Sequence, residues 1–141
     1  MKRVFADAGY WIALFNPRDR LHGKALEVAK TLSNAKIVTS QIVLLEFLNH
    51  YASFGSYFRQ GAVKVVSNLQ QNLQIEIVAQ TSDQFETALA LYAQRPDKDW
   101  GLSDCISFQI MQAQGISEAL AYDEHFAQAG FIPLLRDSAT R

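Results

Sequence analysis

The chain has 141 residues, of which 49% are hydrophobic and 19% charged, with a formal net charge of -1. This composition is typical of one globular domain, residues 1–141, and the charge balance argues against a generally basic nucleic-acid-binding protein. No apolar run approaches the roughly 20 residues that span a bilayer, and an aspartate interrupts the apolar N-terminal stretch, so we expect a cytoplasmic protein without membrane or signal segments.

Short β-rich runs alternate with longer helical patterns along the chain. The β-rich runs predict strands at residues 2–6, 36–39, 73–79, 118–122 and 131–135. Apolar residues at helical spacing predict helices at residues 19–34, 41–51, 57–71, 82–94, 103–114 and 124–129. Strands that are separated by helices need crossover connections, which predicts an α/β fold: a three-layer α/β/α sandwich around a mainly parallel, five-stranded sheet.

Four acidic residues fall at positions that this arrangement brings toward one end of the sheet. Asp7 directly follows the first predicted strand, and Asp123 directly follows the fourth. Asp104 lies at the start of a predicted helix, behind Ser103 as its N-cap, and Glu46 lies about one and a half turns into the helix after the second strand. In open parallel sheets the functional crevice lies beyond the carboxyl ends of the strands, so we expect the four carboxylates to share it.

A divalent metal ion would explain this set of acids. An unpaired carboxylate in an apolar segment such as VLLEFLNH is costly, and neighbouring carboxylates raise one another's pKa. Mg²⁺ or Mn²⁺ prefers carboxylate oxygens and leaves coordination positions for a substrate phosphate. Each acid also has a simpler interpretation: a turn residue (Asp7), a buried ion pair or partly exposed acid (Glu46), a first-turn helix acid (Asp104) and a helix cap (Asp123). The conjunction of all four favours the metal site.

The segments around these acids resemble the PIN domain, the metal-dependent nuclease fold of VapC-type toxins. The matching motifs are VFADAGYWIALF with Asp7, TSQIVLLEFLNH with Glu46, DKDWGLSDCISFQIM with Asp104 and ALAYDEHFAQAGF with Asp123. The resemblance implies that these four residues are both the catalytic residues and the ligands of one or two Mg²⁺ or Mn²⁺ ions. Asp99 and Ser103 are auxiliary candidates, although a solvated loop residue is the favoured interpretation of Asp99.

The resemblance also implies a function. We expect a metal-dependent endoribonuclease that hydrolyses RNA phosphodiester bonds, as the toxin of a type II toxin-antitoxin pair. The expected partners are the RNA substrate, an antitoxin protein and a second copy of the chain in a homodimer. The toxin role rests on family analogy alone.

Two departures from the family pattern leave an alternative open. Gly9 stands where the family often has Ser or Thr, and Ala121 stands where it often has a hydroxyl or amide, so two hydrogen bonds that orient ligands would be missing. A non-catalytic PIN-like module that binds RNA or protein is therefore the second hypothesis. A third hypothesis is another α/β protein with a carboxylate-rich site, such as a dehalogenase-type phosphatase or a receiver domain. The phosphatase would need an aspartate in place of Gly9, and the receiver domain would need paired acids after the first strand.

The remaining reactive side chains have simpler interpretations. Cys105 lies in an apolar helical pattern, which favours a small buried hydrophobic residue over a nucleophile. The three histidines lack the spacing of zinc ligands and are interpreted as surface residues or as residues that support the ligands; they are His22, His50 and His125. His50 lies one turn after Glu46 on the same helix face.

Overall fold

Five parallel strands form one sheet in the computed structural model, which describes residues 1–137. In chain order the strands are β1 (Arg3–Ala6), β2 (Lys36–Ser40), β3 (Ile75–Val78), β4 (Glu118–Leu120) and β5 (Ile132–Pro133). Their order across the sheet is β3-β2-β1-β4-β5, and every neighbouring pair is parallel. The predicted α/β class with a five-stranded parallel sheet is confirmed, although the last three strands are shorter than predicted.

Seven helices connect and flank these strands within residues 1–137. They are α1 (Ala8–Phe15), α2 (His22–Ala29), α3 (Gln41–His50), α4 (Ser56–Gln71), α5 (Ser82–Gln94), α6 (Leu102–Gln114) and α7 (Glu124–Gln128). Helix α1 was not predicted. Helix α2 is shorter than the predicted 19–34, because backbone turns occupy both flanks: His22 N donates to Asp19 O before it, and Ala35 N donates to Leu32 O after it.

The helices cover both faces of the sheet. Right-handed crossovers place α1 to α4 on one face, since β1, β2 and β3 follow one another toward one edge, and place α5 to α7 on the other face. The contacts agree: α1 packs against α2 and α3, α3 against α4, and α6 against α5 and α7. The fold is therefore the predicted three-layer sandwich. Within residues 1–137, no helix combines the length and apolar character needed to cross a membrane.

The strand order reverses between β1 and β4, at the centre of the sheet. From β1 the chain proceeds to β2 on one side, whereas from β4 it proceeds to β5 on the other. The backbone N–H of Asp7 donates to Leu120 O at 3.1 Å, which joins the carboxyl ends of the two strands. The fully buried Thr39 holds the end of β1 in place, because its hydroxyl donates to Ala6 O at 2.9 Å and accepts from Trp11 Nε1 at 3.3 Å. Such a reversal is where open α/β sheets place ligands.

Candidate active site

The four predicted acids line one open cleft at the carboxyl end of the sheet. The cleft has a volume of about 470 Å³, and its lining residues are Asp7, Ala8, Ile12, Glu46, Asn49, His50, Asp104 and Asp123. The acids come from four separate segments: the junction of β1 with α1, helix α3, helix α6 and the junction of β4 with α7. The topology therefore brings together residues that the sequence places far apart.

Asp7 lies at the centre of the cleft and is the acid whose charge is least favoured. Burial raises the pKa of its carboxyl group to about 7, and the charges of Glu46, Asp104 and Asp123 act in the same direction, against a backbone hydrogen bond from Ala8 that lowers it. Near neutral pH this carboxyl group is only partly ionised unless a positive charge is present. Such a carboxyl group has the electrostatics of a ligand that needs a cation.

Glu46 has a hydroxyl group as its hydrogen-bond partner. Ser103 Oγ donates to Glu46 Oε2 at 2.9 Å across the space between α6 and α3. Burial raises the pKa of Glu46, the hydrogen bond from Ser103 lowers it, and the charge of Asp104 raises it. The prediction that Ser103 caps its helix is wrong: α6 begins at Leu102, its N-cap is Gly101, and the Ser103 side chain points to the carboxylate instead.

His125 contacts both of the remaining acids. Its Nδ1 lies 3.0 Å from Asp104 Oδ2 and 3.3 Å from Asp123 Oδ1. Asp104 Oδ2 also accepts from the backbone N–H of Gly101 at 3.0 Å, and Asp123 Oδ1 accepts from the backbone N–H of His125 at 3.0 Å. The simpler interpretations of Asp104 as a first-turn acid and Asp123 as a helix cap are thus correct as well, because both residues hold helix ends while they line the cleft.

The donor set fits a hard divalent cation. Within residues 1–137, hydrogen bonds engage one oxygen each of Glu46 (Oε2), Asp104 (Oδ2) and Asp123 (Oδ1), which leaves the second oxygen of each carboxylate available. In the same residues, no three His, Cys, Asp or Glu side chains are already placed to hold a metal ion together. The carboxylates would therefore have to come closer together to hold one ion, and Mg²⁺ or Mn²⁺ are the ions that suit an all-oxygen site.

The other candidate residues take different places. Asp99 does not line the cleft; it lines a separate cavity with Arg95, Lys98 and Trp100, which agrees with the interpretation as a loop residue. Cys105 is fully buried, and burial raises the pKa of its thiol, so it is a core residue rather than a nucleophile.

Sequence reasoning interpreted His125 as either a surface residue or a residue that supports the ligands, and it did not consider Asn49. His125 connects Asp104 with Asp123, and Asn49 lines the cleft beside His50. The available signal was that His125 lies two residues after Asp123, where its backbone N–H can donate to an aspartate at the N-cap, as it does here at 3.0 Å. Asn49 carried no signal of its own, since polar residues near helix ends are common.

Comparison with known proteins matches the chain to a family and to relatives that cover almost its whole length. The family model for the PIN domain matches residues 4–132. Over 135 residues the chain is 30% identical to the 23S rRNA-specific endonuclease VapC20 of Mycobacterium tuberculosis, strains H37Rv and CDC 1551, and the match covers 92% of this chain and 95% of that protein. The crystal structure of M. tuberculosis VapC20, described as a Sarcin-Ricin loop cleaving toxin, superposes with a TM-score of 0.82 at 26% identity and covers 92% of this chain and 96% of that chain.

Proposed function

Because this chain belongs to the PIN domain family, we propose that it is a metal-dependent endoribonuclease of the VapC toxin type, formed by residues 1–141 as one nuclease domain. The observation that carries the proposal is the set of four carboxylates that line one cleft at the reversal point of the sheet. The relative that covers almost the whole chain is a 23S rRNA-specific endonuclease. Ribosomal RNA is therefore the substrate class to test first.

The proposed ligands of Mg²⁺ or Mn²⁺ are Asp7, Glu46, Asp104 and Asp123. When bound, such an ion supplies Lewis acidity that activates a water molecule and stabilises the negative charge that develops on the phosphate. Ser103 orients Glu46, and His125 orients Asp104 and Asp123, through the hydrogen bonds described above. The openness of the cleft, which Asn49 and His50 also line, suits a polymer that must lie across it.

The same family supports the proposed partners. VapC-type toxins act in pairs with antitoxins, so we expect a cognate antitoxin protein, a homodimer and a cytoplasmic location. Inspection of the neighbouring open reading frame for a small antitoxin-like protein tests the first of these directly. Size-exclusion chromatography with light scattering tests the second.

Cleavage of RNA by the purified protein tests the nuclease proposal. We expect cleavage of ribosomal RNA fragments with Mg²⁺ or Mn²⁺, none in EDTA, and poor cleavage with Ca²⁺, whose longer and more variable bonds fit an Mg²⁺ site badly. Asp7→Asn, which removes a ligand charge with little change in shape, should abolish the cleavage. A wild type that binds metal and RNA but cuts no member of a broad RNA panel would instead support the non-catalytic alternative.

A contaminating nuclease is the main source of false cleavage in this assay. The Asp7→Asn variant must therefore be purified in parallel by the same steps. Equal cleavage by the variant and the wild type would place the activity outside the carboxylate cleft.

A further inference from the structure

Two arginine side chains lie over one tyrosine ring next to the carboxylate cleft. The guanidinium carbon of Arg20 is 4.5 Å from the centroid of the Tyr122 ring, and that of Arg136 is 4.3 Å from the same centroid. Arg136 Nε also donates to the backbone oxygen of Tyr122. Tyr122 directly precedes Asp123, which lines the cleft. Two positive groups are therefore held on the residue that precedes Asp123, just beyond the carboxyl end of β4.

The fold brings these arginines together from distant parts of the sequence. Arg20 belongs to the connection between α1 and α2, and Arg136 follows β5. Backbone hydrogen bonds from Leu134 N to Ala119 O and from Leu135 N to Ala121 O hold the second segment along the end of β4. The segment that carries Arg136 is thus tied to the end of β4, directly beside the residue whose ring both arginines contact.

Neither arginine has an acidic partner among residues 1–137. The ion pairs of that part of the chain use Lys2, Arg3, Lys24, Arg95 and His125 as their cations. Arg20 is exposed and Arg136 is partly exposed. Two like charges on one ring, without a carboxylate between them, create a local positive potential that an anion would stabilise.

Stacking on an aromatic ring prepares a guanidinium group for phosphate. The ring fixes the plane of the guanidinium through cation–π contact, while the N–H groups at its edge remain free to donate. Guanidinium groups with free edges bind phosphate oxygens in pairs. Since the chain carries a net charge of -1 and the cleft is acidic, a positive group nearby would favour the approach of RNA to this end of the sheet.

We propose that Arg20 and Arg136, held on Tyr122, bind a backbone phosphate of the RNA strand that neighbours the phosphodiester in the carboxylate cleft. The proposal rests on the proposed ribonuclease function and names a second contact point for the same substrate. RNA fits better than an acidic protein segment, because a strand with one phosphate in the cleft carries further phosphates on either side of it, next to Asp123.

Binding measured without turnover tests this site. The probe is a fluorescent single-stranded RNA oligonucleotide, titrated with protein in EDTA across a series of salt concentrations. The variants are Arg20→Gln, Arg136→Gln and the double variant. The matched control is Arg3→Gln, which removes the same charge at the start of β1, where Arg3 pairs with Glu76 at 3.1 Å at the opposite end of the sheet.

We expect the double variant to raise Kd roughly tenfold and to reduce the slope of log Kd against log salt by about 0.7 in total, because both arginines contact one phosphate. Arg3→Gln should leave the slope unchanged. Arg136→Gln also removes a hydrogen bond to the backbone, whereas Arg20 contacts the Tyr122 ring. Arg20→Gln must therefore by itself weaken binding several-fold with an unchanged melting temperature. A double variant with a lower melting temperature but wild-type Kd and slope would show a structural role only and would overturn the proposal.

Two further outcomes distinguish the RNA-binding site from a surface for an acidic protein and from the nuclease function itself. A polyglutamate peptide that responds to the arginine substitutions, when RNA does not, would assign the surface to an acidic protein and overturn the RNA site. Because the assay contains EDTA, it does not depend on cleavage: a wild type that cuts no RNA but keeps the arginine-dependent binding would refute the nuclease function and uphold this site.

Discussion

Acidic side chains form ion pairs with lysine and arginine at one end of the sheet but not at the other. At the amino end, where the strands begin, Glu118 pairs with Lys2 at 2.9 Å, and Glu76 pairs with Arg3 at 3.1 Å. At the carboxyl end, where the strands finish, four carboxylates line one cleft, and within residues 1–137 no lysine or arginine forms an ion pair with any of them. The carboxylates at the amino end form ion pairs with lysine and arginine side chains of the same chain. Among residues 1–137, the carboxylates at the carboxyl end have only His125 as an ion-pair partner.

This contrast is the one expected if the acids at the amino end serve the fold and those at the carboxyl end serve the proposed chemistry. Exposed ion pairs such as those at the amino end contribute little to stability, typically 0–1 kcal/mol. Uncompensated carboxylates oppose folding, as the raised pKa of Asp7 indicates. This cost to stability is what the proposed binding of a cation between the four carboxylates would offset.

The largest expected effect is on the rate of RNA cleavage, when one acid is removed from the carboxyl end and, separately, one from the amino end. Asp123→Asn should reduce RNA cleavage by more than about 100-fold, because even residues that only orient metal ligands contribute 10–100-fold. Glu118→Gln should leave cleavage within about twofold of the wild type. The measurement is the initial rate with Mn²⁺ for both variants and the wild type, purified in parallel. Equal losses in the two variants would remove the distinction between the ends.

Stability in EDTA should shift in opposite directions at the two ends. The pKa of Asp7 is raised from 3.8 to about 7, so its ionised form destabilises the folded state. Asp7→Asn should therefore increase the free energy of unfolding at pH 8 by about 2–3 kcal/mol, at 1.36 kcal/mol per pKa unit and with allowance for partial solvent screening. Glu118→Gln should decrease it by less than about 1 kcal/mol.

The pH dependence has a definite sign for Asp7. Between pH 4 and pH 7 the folded state keeps the proton that the unfolded state has lost, so this residue's contribution to stability falls as the pH rises through that window. The difference in unfolding free energy between Asp7→Asn and the wild type should grow over the same window and level off above it. Urea denaturation in EDTA at four pH values measures it, and a constant difference would contradict the assigned pKa.

Removal of the histidine that joins two ligands should have an intermediate effect. His125→Phe keeps a ring of similar size but loses the contacts to Asp104 and Asp123, so we expect the affinity for Mn²⁺ to fall about tenfold. His125→Asn, which can still donate a hydrogen bond, should lose less. Thermal shift as a function of Mn²⁺ concentration gives both values. Equal affinities for Mn²⁺ in the wild type and the Phe variant would show that His125 does not orient the ligands.

The smallest expected effect concerns Gly9, in the first turn of α1. A Cβ at this position would meet no atom within 4 Å, so a serine fits. Gly9→Ser should stabilise the fold by about 0.3–0.5 kcal/mol through helix propensity, and its hydroxyl should tighten Mn²⁺ binding by less than about tenfold. Unchanged Mn²⁺ affinity together with the gain in stability would show that the glycine does not weaken the metal site.

Local sequence signals were sufficient to predict the bounds of helices that have a recognisable capping residue. The predicted helix 82–94 matches α5, because Thr81 caps it by accepting from Gln84 N at 3.1 Å. Helix α1 was missed because AGYWIALF is apolar nearly throughout and is buried on several sides, with Ala8, Tyr10, Trp11 and Ala13 all buried, so it shows no polar face with a helical period.

The acids could be predicted as one group because Asp7 and Asp123 follow strands, Asp104 lies in the first turn of a helix, and Glu46 interrupts an apolar helix. Their partners could not, because the contacts of Ser103 with Glu46 and of His125 with Asp104 run between helices. The relative position of two helices depends on packing across the sheet, which a local pattern does not encode. The Arg20 and Arg136 pair on Tyr122 was out of reach for the same reason.

The central position of β1 has a consequence for how the protein folds. The first strand made is flanked by β2 and by β4, and its residue Phe5 pairs with Ala119, near the other end of the chain. Such pairings of high contact order form slowly, because a long loop must close before the contact exists. A chain arrested before β4 would carry Asp7, Glu46 and Asp104 without a shared cleft, so the same topology that gathers the acids keeps an incompletely folded chain from acting as a nuclease.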